Sequence, residues 1–304
     1  MTADRGYLFI IGTAKAGTSA LATWLGARND IVLGRIKEPR TLSDLAERDW
    51  TGPGAEEFRA TLIADEAGWL ENFADKPGAA WAVDASTDYL WCPASPDRIA
   101  ALARRHPVRL ICITRDPVDR AISEYRHTLR DGIDESLDAA LDAEQERIDA
   151  GWQPLFWHVR RSRVAADLAR YAERFGESLL VVDYAELSDP DALLARVARF
   201  LGLPQRPLEA PERQNESVLP RNRLVQAVWA SPALRAAARR LVPKSVRHRA
   251  YVATHSPRAL PRHIRPAEQT RLKDALSDEI AACIRTPLIE TSGWRSAAAD
   301  ASSP

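Results

Sequence analysis

The chain has 304 residues, 45% apolar and 28% charged, an ordinary globular composition and long enough to bury a large core. Its 42 lysines and arginines balance 42 acids, so no overall field draws it to nucleic acid or to a membrane surface. Three cysteines (Cys92, Cys112, Cys283) without CxxC spacing argue against a disulfide framework or a zinc site and predict a reducing, cytoplasmic setting.

The N-terminus leads into only five consecutive apolar residues, Tyr7 to Ile11, too few for a signal peptide or a membrane span. They read as a buried strand ending at Gly12. Thr18 to Ala27 reads as a helix and Ile31 to Leu33 as a short strand. Glu56 to Phe73 has helical spacing, carried by Phe58, Leu62, Ile63, Trp69 and Leu70. Trp81 to Asp84 is a third strand. Pro96 opens a helix running to Arg105, since proline fits a first turn. Arg109 to Thr114 is a strong central strand, and Val118 to Leu129 is the helix after it. Leu179 to Asp183 is another strand, followed by a helix from Asp191 to Leu201 that stops at Gly202 and Pro204.

Continuous apolar strands between helices predict an α/β fold, a P-loop-type central parallel sheet flanked by helices, with extra C-terminal helices. A single domain over residues 1–304 is expected, with helical segments near 131–175 and 221–290 as lid and acceptor-side elements. Charge is unevenly spread. Asp131 to Asp149 holds eight acids and one base, and Arg213 to Arg265 holds twelve bases and one acid. The basic stretch reads either as a solvated face or as a cover for an anionic ligand.

In such sheets ligands bind at the carboxyl ends of the strands. After the first strand comes Gly12-Thr13-Ala14-Lys15-Ala16-Gly17-Thr18-Ser19-Ala20-Leu21. Gly12 and Gly17 have the spacing of a Walker A loop, in which glycine lets the backbone aim its N–H groups at a phosphate. The following helix adds the positive end of its dipole. The position of the Walker lysine holds Thr18, and the lysine lies inside the loop at Lys15. From there it can stabilise a leaving group on the outer side of a bound phosphate. The alternative is a tight strand-to-helix turn without a ligand.

The central strand ends in Arg115-Asp116-Pro117-Val118-Asp119-Arg120-Ala121-Ile122-Ser123. The planar fork of Arg115 suits bidentate phosphate binding, and Ser123 lies about two turns into the helix. Alone, Arg115 reads as an ion-pair partner of Asp116 or Asp119. Together with the glycine loop it makes a second anion site, suited to a nucleotide with phosphates on both its 5′ and 3′ sides.

These two motifs resemble those of the sulfotransferases that use 3′-phosphoadenosine-5′-phosphosulfate (PAPS), and the Arg-Asp-Pro-x-x-Arg-x-x-Ser pattern is the more specific. Lys37-Glu38-Pro39, Asp183-Tyr184-Ala185-Glu186-Leu187, Phe200-Leu201-Gly202-Leu203 and Ser292-Gly293-Trp294 resemble the heparan-type and related bacterial branch. The resemblance implies that Lys15, Ala16, Gly17, Thr18 and Ser19 bind the 5′-phosphosulfate and that Arg115 and Ser123 hold the 3′-phosphate. It further implies Lys15 and Glu38 as catalytic residues, Glu38 as general base, and 3′-phosphoadenosine-5′-phosphate (PAP) as product, with no metal. Two stretches depart from the pattern. Arg40-Thr41-Leu42 follows Lys-Glu-Pro where the branch has His and aromatics, and Ser86-Thr87-Asp88-Tyr89 replaces Ser-Pro-x-Tyr. Both border the acceptor, expected to be a small molecule or glycan-like.

Other residues compete for roles. Asp84 and Asp88 are alternative bases, and Glu38 has the plain reading of a loop carboxylate paired with Lys37 or Arg40. His127 reads as a helix-surface or supporting residue and His158 is equally ambiguous. Trp50, Trp69, Trp81, Trp91, Trp152 and Trp157 read first as core, with an acceptor platform as the alternative. Arg221 and Arg223 follow a family-like Asn215-Glu216-Ser217. A P-loop kinase or NTPase, which needs magnesium and a Walker B acid, and a non-catalytic nucleotide-binding protein are the other functional readings.

Overall fold

The structure, a computed structural model, describes residues 5–130, 133–205 and 264–298, together with two short paired strands, Leu219–Pro220 and His255–Ser256. Five strands, β1 (Gly6–Gly12), β2 (Ile31–Leu33), β3 (Trp81–Asp84), β4 (Val108–Thr114) and β5 (Leu179–Asp183), form one sheet in the order β2-β3-β1-β4-β5. Every neighbouring pair in it is parallel. This is the predicted architecture, and the strand bounds differ from the sequence reading by a residue at most at either end.

The reason lies in the two-residue period of the strands. Tyr7, Phe9 and Ile11 of β1 point to one side of the sheet and Leu8 and Ile10 to the other, and all five are buried. On the first side they meet Trp69 and Phe73 near α3 (Glu66–Glu71), Ile99 and Leu102 of α4 (Ser95–Ala103), and Leu168 and Tyr171 of α7 (Ala165–Phe175). On the second side they meet Leu21 and Leu25 of α1 (Thr18–Gly26) and Leu193 and Val197 of α8 (Pro190–Phe200). Helices cover both faces, so the strands read as unbroken apolar runs.

The helix expected over Glu56 to Phe73 is two short helices, α2 (Ala55–Arg59) and α3. The Ile63 N–H leaves the helical pattern to donate to the Pro39 carbonyl at 3.0 Å. Asp65 then restarts a helix by accepting from the Gly68 N–H at 2.7 Å. A tertiary hydrogen bond thus overrides the helical periodicity, and it ties this segment to the Lys37-Glu38-Pro39 loop.

The acidic run lies mostly on α6 (Leu137–Asp149), with α5 (Pro117–Arg130) before it. Asp138 pairs with Arg265 at 2.8 Å and Asp142 with Arg271, both joining α6 to α9 (Pro266–Ala275), while Glu135 pairs with Arg147 at 2.6 Å. Part of the charge segregation is therefore neutralised by contact. Asn215, Glu216, Ser217, Arg221, Arg223 and nearly all of the basic stretch lie outside the described residues, as does most of 221–263. Two further helices, α10 (Ser277–Arg285) and α11 (Arg295–Ala298), bring the C-terminal segment back to the sheet. Ser296 donates to Asp116 from its hydroxyl at 2.9 Å and from its N–H at 3.0 Å.

Candidate active site at the carboxyl ends of the strands

The glycine loop follows β1 and is bound to its neighbour β4. The Thr13 N–H and hydroxyl both donate to the Ile113 carbonyl, at 2.8 and 3.0 Å. Gly17 is left-handed, with φ +82°, and a Cβ there would stand 2.5 Å from Leu187. Only glycine fits both the angle and the space. No side chain caps α1, and no acid stands in its first turn. Its leading N–H groups and dipole are therefore left to an anion.

Lys15 also has a left-handed backbone, with φ +68°. Its ammonium meets His127 Nδ1 at 3.2 Å. An ammonium only donates, so Nδ1 is the acceptor and the imidazole proton sits on Nε2. His127 stands one turn beyond Ser123 on α5, so Ser123 and Lys15 approach the same face of that helix.

Arg115 does not pair with its neighbouring carboxylates. Asp116 caps α5, accepting from the Val118 N–H at 2.9 Å, and Asp119 pairs with Arg295 at 3.0 Å. Arg115 instead donates to the Lys15 carbonyl at 2.6 Å and lies 4.4 Å above the Tyr184 ring. The two sequence motifs, 100 residues apart, thus touch.

The Lys37-Glu38-Pro39 loop closes on the same place. The Lys37 ammonium donates to the Ser19 hydroxyl at 2.6 Å. Glu38 and Arg40 both have left-handed backbones, with φ +56° and +54°. With Lys15 they are the three non-glycine residues so strained among the described residues, and all three lie here. Glu38 Oε2 accepts from Arg40 Nη2 at 2.6 Å, and Oε1 stands 3.5 Å from Lys37 Nζ.

The competing carboxylates are closed off. Asp84 accepts from Trp69, Tyr89 and Ser86, at 2.9, 2.8 and 2.5 Å. Burial pushes its carboxyl above the ordinary range, against the pull of those hydrogen bonds. Asp88 is clamped between Arg40 and Arg161 at 2.5 and 2.7 Å. Burial opposes its ionisation, but the Arg161 and Arg40 guanidiniums outweigh that and hold it below the usual carboxylate value. A small cleft lies beside the glycine loop, lined by Thr13, Ala14, Thr87, Leu90, Trp91 and Arg161 among others.

The family model described as "Sulfotransferase family" matches residues 8–207. The chain belongs to the sulfotransferase family. The chain is 35% identical over 115 residues to the mouse heparan sulfate glucosamine 3-O-sulfotransferase 3B1, a match covering 36% of this chain and 28% of that protein. The human 3B1 protein is 32% identical over 112 residues, covering 36% and 28%. The chain thus spans under a third of the length of these relatives. A solved sulfotransferase from Alicyclobacillus acidocaldarius superposes with a TM-score of 0.64 at 29% identity, over 82% of this chain and 96% of that one.

His127, read from the sequence as a helix-surface or supporting residue, touches Lys15, and Tyr184, in a family-like segment, stacks with Arg115. Arg161, which the sequence reading did not single out, joins Arg120 and Glu124 in a buried ionic network. Helical spacing after Arg115 was the available signal for His127, since it places residues 123 and 127 on one face. His158 is fully buried against Tyr125 and near Glu124, away from the loop. Of the six tryptophans, five are buried and Trp152 is half-buried, and of the five Trp91 also lines the cleft beside the glycine loop. Among the described residues no helix is long and apolar enough to cross a membrane, and no group of three His, Cys, Asp or Glu is placed to hold a metal.

Proposed function

We propose that this sulfotransferase moves a sulfonate group from PAPS to a hydroxyl or amine of a small-molecule, glycan or lipid acceptor, with the whole chain acting as one unit. The observation that carries this reading is the contact between Arg115 and the Lys15 carbonyl. It supports the reading because it brings the Arg115 guanidinium against the glycine loop, as one ligand gripped by both motifs requires. The residues fit such a ligand. Gly17 leaves no room for a side chain, α1 begins uncapped, and Arg115 has no carboxylate partner among the described residues.

In this reading Lys15, Ala16, Gly17, Thr18 and Ser19 cradle the 5′-phosphosulfate. Arg115 and Ser123 hold the 3′-phosphate. PAPS supplies an activated sulfonate, transferred in line between two oxygens when the acceptor is a hydroxyl. Glu38 takes the acceptor proton as the new bond to sulfur forms, worth about 10²–10⁴-fold. Lys15 neutralises the charge that grows on the phosphate oxygen as its bond to sulfur breaks. Lys37, already on Ser19, adds a second positive charge beside that oxygen.

The names of the curated relatives, which specify O-sulfation of heparan sulfate glucosamine, support a hydroxyl on a glycan-like acceptor. The departures at Arg40 and Ser86 to Tyr89 border the acceptor side and argue against simple transfer of that substrate. A kinase or NTPase reading is weaker, because Thr18 replaces the Walker lysine and β4 ends in Thr114-Arg115, a poor fit to a Walker B strand. Calorimetry with PAP and with magnesium-ATP tests the proposal. Tight binding of PAP and none of ATP is expected. Equal weak binding of both would reject it.

A further inference from the structure

Six charged side chains form one alternating chain from the Lys37-Glu38-Pro39 loop to α5. Glu38 Oε2 meets Arg40 Nη2 at 2.6 Å, and Arg40 Nε meets Asp88 Oδ2 at 2.5 Å. Asp88 Oδ1 meets Arg161 Nη2 at 2.7 Å, Arg161 Nη1 meets Glu124 Oε1 at 2.5 Å, and Glu124 Oε2 meets Arg120 Nη2 at 2.7 Å. Three acids and three arginines cancel. All but Glu38 are at least nine-tenths buried at the side chain. Apolar packing would stabilise such a volume as well or better, so the chain is a poor device for stability alone.

Its first two links beyond Glu38, Arg40 and Asp88, are 48 residues apart in sequence and bonded in space. Arg40 is spent entirely on this role. Nη1 donates to the Glu38 carbonyl at 2.6 Å and to Thr61 at 2.9 Å, and the guanidinium lies 4.6 Å above the Phe58 ring.

We propose that Arg40 and Asp88 are positioning residues for Glu38. Asp88 anchors the guanidinium, the guanidinium holds Oε2, and Oε1, 3.5 Å from the Lys37 ammonium, is the oxygen that receives the acceptor proton. Arg161 and Glu124 continue the brace to α5, the helix that carries Ser123, and so tie the base to the nucleotide end of the site. This inference rests on the reading of Glu38 as base. The charged groups facing Glu38 are Lys37 at 3.5 Å and Arg40, with Asp88 and Arg161 behind them, and the Thr87 hydroxyl stands 3.5 Å from Oε2.

The test uses the full chain and two readouts. Release of PAP and sulfate from PAPS, with water as acceptor, gives the rate without a known acceptor, and calorimetry gives PAP affinity. Arg40→Met and Asp88→Asn should each slow PAP release at least tenfold while leaving PAP affinity within threefold. Arg40→Lys keeps the charge but cannot bridge both carboxylates. It should be equally slow, and it carries the test if Arg40→Met fails to fold. In a Glu38→Gln background Arg40→Lys should cause no further loss of rate, since its only route to the reaction is through Glu38. Wild-type rates in Asp88→Asn and Arg40→Lys, or a full further loss in the Glu38→Gln background, overturn the proposal. A wild-type rate in Glu38→Gln overturns the base reading itself, and the proposal then falls for that separate and visible reason.

Discussion

Arg115 donates to the main-chain carbonyl of Lys15 at 2.6 Å, across 100 residues of sequence. The guanidinium at the end of β4 therefore braces the loop at the end of β1. In the proposed reading, nucleotide binding and loop geometry share one side chain.

Arg115→Ala should accordingly have two effects of unequal size. Loss of a charge-assisted contact to the 3′-phosphate is worth about 1.5–3 kcal/mol, roughly 10- to 150-fold in PAP affinity. Binding of adenosine 5′-phosphosulfate, which lacks the 3′-phosphate, should fall only severalfold, through the loosened Lys15 loop. Calorimetry with both ligands checks this. Equal losses would remove the 3′-phosphate from Arg115.

Lys15→Met is expected to cut PAP release from PAPS by about 10²–10³-fold, the scale for one lost electrostatic contact to developing charge. PAP affinity should fall far less. A parallel fall in both would make Lys15 a binding residue only. His127→Ala, which removes one contact of the Lys15 ammonium, should produce a smaller loss of rate.

Gly17→Ala places a Cβ 2.5 Å from Leu187 at a φ of +82°. Strain of this kind costs about 1–3 kcal/mol. The melting temperature should drop and PAP binding should be lost in step. A stable variant with wild-type affinity would show that the loop does not need glycine.

Acid should weaken the fold through the buried ionic chain. Burial resists ionisation of Glu124, but Arg120 and Arg161 prevail and hold its carboxyl well below the usual range, and Asp88 is likewise depressed by Arg161 and Arg40. A folded value below the unfolded one gives stability that is full above the unfolded value and lost as pH falls through the folded one. The loss should therefore begin below about pH 4. Denaturant melts at pH 7 and pH 3 measure it. Asp88→Asn should be less stable at pH 7 and show a shallower fall, and an unchanged slope would contradict the depressed value.

The strands and the two anion motifs were legible because each rests on local chemistry. The five strands are largely apolar runs, and the glycine loop and the Arg115 motif are contiguous. The split of Glu56 to Phe73 was hidden because it depends on the Pro39 carbonyl, 24 residues from Ile63. The exclusion of Asp84 and Asp88 was hidden too, since a carboxylate's partners are set by packing. Asp88 is anchored by Arg161, 73 residues away.

The amino-acid order alone determined a parallel sheet, a phosphate loop with an internal lysine and an arginine at the end of the central strand. Periodicity and glycine spacing act over a few residues and need no knowledge of the rest of the chain. Only the tertiary structure decided that Arg115 braces Lys15 and that Arg40 and Asp88 are partners. It alone brought Lys37 onto Ser19. Burial and ion pairing are properties of neighbours in space, and in a parallel sheet those neighbours come from distant strands whose carboxyl ends meet at one edge.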